Sequence, residues 1–232
     1  MLAIITGATK GIGRAVSIRL ASEGIDIVAI SSSKNNLEEL KKFIEKTTKA
    51  KCYIHVCDLT NKNQRLHLIS SLAVYEQKVS ILVNNFGRYS VGTIEEISST
   101  DLITNFEHNV VTAFELSQFI APIFKEKKEG YIFNILSVLA EKTRQTAAAY
   151  TISKHAMNGL NKLLADELRE FEVKVCGIYP CSVNTSSWDG IAVDRSKMIQ
   201  PEDIATLISQ SLKLSDQMFI ERIDLNPLDK TT

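Results

Sequence analysis

The sequence predicts a single α/β domain, a doubly wound seven-stranded parallel sheet with helices on both faces. Short runs rich in Val and Ile alternate with longer amphipathic runs along the whole chain, which is the order that builds such a sheet. Most of the short runs lack polar alternation, the pattern of strands buried on both faces. The 232 residues, with a hydrophobic fraction of 44%, supply one large core but would leave each of two domains small.

Taken in order, the first strand is read at Leu2–Thr6 and runs into glycines that open a helix at Ile12–Ser22. A strand at Asp26–Ile30 precedes a helix at Asn35–Thr47, and a strand at Lys51–Val56 precedes one at Asn61–Tyr75, with Asn61 as its cap. The strand at Ile81–Asn84 leads to a long helix at Asp101–Lys127. Gly130–Ile135 leads to another at Ala148–Glu170. A strand at Val173–Tyr179 is followed by the least regular stretch, Cys181–Gln200. The last helix, Pro201–Leu214, has Pro in its first turn and Glu202 and Asp203 at its positive end. Met218–Leu225 completes the strands.

Composition narrows the function classes. Lys+Arg and Asp+Glu both total 27, so the net charge is zero, which argues against a nucleic-acid partner. The opening apolar run, MLAIITG, is too short for a signal peptide or a membrane span, so a cytoplasmic protein without membrane contact is expected. Cys52 and Cys57 share one strand-like run and should point to opposite faces. With Cys176 and Cys181 they read as free thiols of a reducing compartment. The four histidines are scattered, and no metal site is expected.

The first chemical motif is Thr6-Gly7-Ala8-Thr9-Lys10-Gly11-Ile12-Gly13, between a strand and a helix. Glycines there allow a tight turn and close approach of the backbone to a pyrophosphate, which the helix N-terminus attracts. The spacing Gly-x-x-x-Gly-x-Gly resembles the classical short-chain dehydrogenase/reductase family, whose signature Thr-Gly-x-x-x-Gly-x-Gly is met at every fixed position. The resemblance extends through most of the chain. It implies a Rossmann fold, residues 1–232 as one dinucleotide-binding catalytic domain, and Thr6, Gly7, Thr9, Lys10, Gly11, Ile12 and Gly13 at the cofactor.

An acid about 20 positions beyond the turn would bind the ribose hydroxyls of NAD and repel the extra phosphate of NADP. The second strand ends instead in Ser31, Ser32, Ser33 and Lys34. Hydroxyls and a cation can hold that phosphate, and Lys10 adds a second cation, which the family resemblance also associates with NADP. NADP(H) is therefore expected over NAD(H). Asp58-Leu59 matches the family's adenine-contacting pair, although an Asp there could equally cap the next helix. Asn84-Asn85-Phe86-Gly87 is similar to the family's Asn-Asn-Ala-Gly, with Phe86 in place of a small residue and needing room beside the cofactor.

Tyr150 and Lys154 are spaced to share one helix face. A free Tyr titrates near ~10; a nearby ammonium and the positive nicotinamide of the oxidised cofactor are both expected to lower that value and help the phenol exchange protons, and Lys154 is also expected to bond the nicotinamide ribose. Ser137 ends the fifth strand upstream of Tyr150, and Asn109 falls within the long fourth helix. The resemblance implies that Ser137 bonds the substrate carbonyl, that Tyr150 donates the proton, and that Lys154 restores it through a water supported by Asn109.

Pro180-Cys181-Ser182-Val183-Asn184-Thr185 is similar to the family's Pro-Gly-x-Val-x-Thr, so Pro180, Val183 and Thr185 are expected at the carboxamide of the cofactor. Cys181 replaces a glycine, at a steric cost if the backbone there is left-handed. The loop at about 181–200 should border the substrate, with Trp188 either over it or packed on the last helix. The Trp188 region, Pro201-Glu202-Asp203-Ile204-Ala205 and the tail at Phe219–Pro227 resemble bacterial sepiapterin-reductase-like members. The expected reaction is reduction of a ketone or aldehyde to an alcohol, or its reverse. A pteridine side-chain ketone and a 3-oxoacyl thioester remain open as substrates. The reading from a different class is a non-catalytic NADP-binding sensor or scaffold, which the intact proton-transfer set disfavours. A homo-tetramer or homodimer is expected from the family alone.

Overall fold

In a computed structural model describing residues 1–190, 192–215 and 217–228, the chain forms the doubly wound sheet that the sequence predicts. The strands are β1 (Leu2–Thr6), β2 (Asp26–Ser31), β3 (Cys52–Val56), β4 (Val79–Asn84), β5 (Gly130–Ile135), β6 (Val173–Pro180) and β7 (Arg222–Leu225). They lie in the order β3-β2-β1-β4-β5-β6-β7, with every pair parallel. The helices are α1 (Gly11–Ser22), α2 (Lys34–Thr47), α3 (Lys62–Leu72), α4 (Ser99–Phe106), α5 (Thr112–Lys127), α6 (Ala148–Leu168) and α7 (Pro201–Ser211).

Alternate residues of each strand feed two apolar layers, because side chains switch faces at every step. Ala3, Ile5, Ile27 and Ala29 face Val16, Leu20, Leu37, Leu40 and Ile208 of α1, α2 and α7. Leu2, Ile4, Val28 and Ile30 face Leu68, Leu116, Ile120, Phe124 and Leu164 of α3, α5 and α6. Each such Val, Leu, Ile or Phe side chain removed from water contributes roughly 1.5–3 kcal/mol, which fixes strand register and leaves one sheet end free to carry chemistry. The direction of winding reverses between β1 and β4, and ligands bind such sheets in the crevice beyond the strand ends at that point.

Some boundaries differ from the sequence reading. The helix expected at Asp101–Lys127 is interrupted by a π-turn at Glu107–Val111. The segment after Leu72 tightens to a 3-10 turn at Ala73–Tyr75, and the one after Leu168 does so at Arg169–Phe171. The last helix ends at Ser211. The last strand is only Arg222–Leu225, the part in register with Gly177–Pro180 of β6. Asn61 does cap α3, accepting the N–H of Gln64 at 3.1 Å. Among the described residues, no helix is long and apolar enough to cross a membrane.

Candidate active site

A cleft of about 520 Å3 opens along the strand ends, from the turn after β1 to the loop after β6. Its floor is the glycine turn. Gly7 and Gly11 adopt φ of +62 and +48, a region open to Gly at no steric cost. A Cβ on Gly13 would stand 2.3 Å from the Gly7 carbonyl oxygen, so the turn closes only around a bare backbone. The α1 N-terminus has no side-chain cap and no acid in its first turn. Its first N–H groups and positive dipole end therefore face the cleft uncompensated, a cradle for an anion. Gly7, Thr9, Lys10, Gly11 and Ile12 line the cleft. Thr6 lies beneath it as a brace: its Oγ1 accepts the N–H groups of Asn85 and Phe86, each at 2.9 Å. Asn85 in turn donates to the Thr6 carbonyl at 2.8 Å, tying the β1 and β4 ends together.

At the β2 end, Ser31, Ser32 and Ser33 all line the cleft, and the Ser31 and Thr9 hydroxyls are 2.9 Å apart. No carboxylate stands at this strand tip. Lys34, expected here, does not line the cleft; it begins α2, exposed, and pairs with Glu38 at 3.9 Å. Asn36, which the sequence reading omitted, lines it instead. Asp58 does not cap α3. Its Oδ1 accepts the backbone N–H of Thr60 at 3.0 Å and the Thr60 hydroxyl at 2.7 Å, and these bonds hold its carboxyl below the usual range. The Leu59 carbonyl is clamped by buried Arg65 at 3.0 Å and by Thr112 at 3.2 Å. Arg65 also pairs with Glu115 at 2.7 Å. Phe86 gains its room by packing into the second apolar layer, edge-on to the ring of His108.

At the other end, Ser137, Tyr150 and Lys154 line the same cleft. Tyr150 and Lys154 stand a turn apart on α6, and the Lys154 Nζ is 5.6 Å from the Tyr150 ring centre. The ammonium does not lower the phenol as the sequence reading expects. Burial pushes Tyr150 up to about 12, with Ser137 and Arg144 pulling the other way. Burial likewise brings Lys154 down to about 8, and its Nζ donates to the Ile135 carbonyl at 3.0 Å. The low-dielectric surroundings cost each charged form more than the neighbours return.

Asn109 is buried in the π-turn rather than in the cleft wall. Its Oδ1 accepts the Arg88 N–H at 2.9 Å, and its Nδ2 donates to the Arg88 carbonyl and to the Ser153 hydroxyl, each at 3.1 Å. The Ser153 hydroxyl donates to the Tyr150 carbonyl at 2.7 Å. Gly87 separates Asn109 from Lys154: a Cβ there would meet Asn109 Oδ1 at 2.6 Å and Lys154 Nζ at 3.6 Å. A π-turn adds one residue to a helical turn and often marks a functional site.

Pro180, Val183 and Thr185 line the cleft, and Thr185 packs against Gly11 so closely that a Cβ on that glycine would lie 2.8 Å from its methyl. Cys181 causes no left-handed strain, because among the described non-glycine residues only Lys128 and Glu172 have positive φ. Trp188 is half-buried in the cleft wall and Met198 is buried. Tyr89, Val138, Leu139 and Arg144 also line the cleft that Tyr150 borders; the sequence reading missed them because they come together only through loop folding. Among the described residues, no three metal-ligating side chains gather. The glycine cradle, the hydroxyl-lined β2 tip and the Ser137, Tyr150 and Lys154 side chains occupy one cleft, whose residues fit a nicotinamide dinucleotide.

Residues 1–195 match the short chain dehydrogenase family. The oxidoreductase YgcW of Escherichia coli, itself uncharacterized, is 33% identical over 178 residues, covering 77% of this chain and 67% of its own length. A diacetyl reductase [(S)-acetoin forming] of Staphylococcus epidermidis is 29% identical over 217 residues, covering 91% of this chain and 84% of its own. A metagenomic short-chain oxidoreductase solved in complex with NADP superposes with a TM-score of 0.84 at 26% identity, covering 99% of this chain and 98% of its own.

Proposed function

Because the chain belongs to the short-chain dehydrogenase family, we propose that it is an NADPH-dependent carbonyl reductase, a single catalytic domain interconverting a ketone or aldehyde with its alcohol. The observation that carries this reading is that Ser137, Tyr150 and Lys154 border the same cleft as the glycine cradle.

When bound, the reduced nicotinamide supplies the hydride. The protein supplies the oxygen site and the proton. Ser137 and the Tyr150 hydroxyl polarise the substrate carbonyl oxygen as negative charge grows on it. Tyr150 transfers its phenolic proton to that oxygen, forming the alcohol. Lys154 stabilises the resulting tyrosinate and returns a proton to it, and Asn109 fixes the backbone behind it through Arg88 and Ser153. The α1 N-terminus binds the pyrophosphate. Lys10 and the Ser31–Ser33 hydroxyls favour the additional phosphate of NADP, and the related oxidoreductase solved with NADP supports that preference.

The test follows NADPH and NADH oxidation with a carbonyl panel that includes 2,3-butanedione, in view of the diacetyl reductase relative. Turnover with NADPH at the higher kcat/KM is expected. Tyr150→Phe should lower kcat by at least about a hundredfold, within the range for a general acid, and leave NADPH affinity within a few-fold. Near-normal turnover by Tyr150→Phe, or a preference for NADH, overturns the corresponding part of the reading.

A further inference from the structure

We propose that Arg144 is a carboxylate-binding residue and that the substrate is a small oxo acid, its carbonyl meeting Ser137 and Tyr150 while its carboxylate pairs with the guanidinium. The inference rests on the carbonyl-reductase reading above and specifies its substrate.

Arg144 lies in the connection between β5 and α6 and borders the cleft together with Tyr150. Its charge pulls the Tyr150 phenol down, a smaller effect than the burial that pushes it up. Among the described residues Arg144 has no ion-pair partner. The nearest carboxylate in sequence, Glu141, is engaged by Arg222 at 2.6 and 2.8 Å.

The connection carrying Arg144 is held at several points. The Arg144 carbonyl accepts the N–H of Ala147 at 3.0 Å. Gly92 donates to Thr146 and accepts from Ala148, each at 2.9 Å, forming a short parallel bridge with Ala147. A guanidinium on an anchored loop loses less freedom when it binds than one on a mobile segment.

The surroundings fit an anion with a short apolar body. Asp58 is the single carboxylate among the described residues of the cleft wall, and it follows the edge strand β3, four strands away from the β5 that precedes Tyr150. The catalytic end adds the apolar side chains of Val138, Leu139 and Trp188. A guanidinium matches a carboxylate bidentately and strengthens both hydrogen bonds through charge. A neutral ketone would leave the guanidinium unpaired.

The experiment compares acetoacetate, methyl acetoacetate and 2,3-butanedione as substrates for the wild type, Arg144→Met and Arg144→Lys with saturating NADPH. The wild type should favour the acid over its ester. In Arg144→Met the acid-to-ester ratio of kcat/KM should fall at least about tenfold, mainly through KM for the acid, and Arg144→Lys should restore part of it. A wild type that prefers the ester, or a ratio unmoved by Arg144→Met, overturns the inference. Reduction of the ester and diketone without the acid overturns it too, while the carbonyl-reductase reading stands. Failure to reduce any of the three overturns both.

Discussion

Tyr150 is held protonated by burial, up to about 12, whereas Lys154 loses its proton near about 8. On the proposed mechanism, reduction requires the phenol to carry a proton and the ammonium to replace it. Over the ordinary working range the phenol stays protonated, so Lys154 sets the pH dependence. Its charged form predominates below about 8, and reduction should be level there. Above about 8 the ammonium is lost, and kcat/KM should decline toward tenfold per pH unit. Lys154→Arg replaces the titrating group with one that stays charged, so its profile should lose that inflection even though absolute activity falls. The check is a kcat/KM profile for reduction in both proteins, and an inflection near 8 retained in Lys154→Arg contradicts the assignment. That Ser137, Tyr150 and Lys154 border one cleft was legible in sequence because they occur at recognisable spacings on one strand end and one helix. Arg144 and Tyr89 were not, since nothing in their neighbours marks a loop residue that folding turns toward a cleft. Lys34 misled for the converse reason: a cation beside three serines looks like a phosphate ligand, but as the first residue of α2 it points along the helix toward Glu38.

Strand and helix identities were written in apolar periodicity, which covers many residues at once and tolerates local exceptions. Their ends depend on single hydrogen bonds. The π-turn at Glu107–Val111 changes the register by one residue without altering composition, so the sequence shows one continuous helix where the structure shows two. β7 is likewise shorter than its composition suggests: residues before Arg222 are apolar enough for a strand, but only Arg222–Leu225 pair with β6, against Gly177–Pro180. The β1–α1 turn is the opposite case, because its glycines are dictated by sterics that the sequence states directly. Gly13→Ala tests this element. The added methyl would meet the Gly7 carbonyl oxygen at 2.3 Å, a backbone contact that yields only if the turn itself moves. Overpacking of this kind costs about 1–3 kcal/mol, so the melting temperature should fall by several degrees. NADPH affinity should fall more steeply, at least about tenfold, since the same shift disturbs the N–H cradle. Trp188 in the cleft wall provides a fluorescence titration. Unchanged affinity with a lowered melting temperature would limit Gly13 to packing.

Across the whole molecule, the two apolar layers decide where the thiols lie. Cys52 and Cys176 belong to the layer under α1, α2 and α7, and Cys57 to the layer under α3, α5 and α6, so the alternation read from the β3 sequence holds. All three are unpaired and buried. Burial, the largest cause in each case, pushes Cys52 and Cys176 up to about 12 and Cys57 up to about 11. A thiol whose folded value exceeds its unfolded one contributes stability that is complete below the unfolded value, near ~8.5, and is lost as pH rises toward the folded one. Through that window each thiol costs about 1.4 kcal/mol per pH unit. Lys154 acts in the opposite sense: its folded value is depressed, so the unfolded chain binds more protons between about 8 and its ordinary value, and its contribution rises with pH. Three thiols outweigh one ammonium, so net stability should fall between pH 9 and 10.5, roughly 3 kcal/mol per unit by the same linkage. That is a large share of the 5–15 kcal/mol typical of a folded protein. Urea unfolding midpoints measured across this range, at constant ionic strength, should therefore drop steeply. In Cys52→Ala/Cys176→Ala the midpoint at pH 7 will be lower because two cavities are opened, but its alkaline decline should be much shallower. The slope is the diagnostic quantity, and parallel slopes in the two proteins would mean that some other group governs alkaline unfolding.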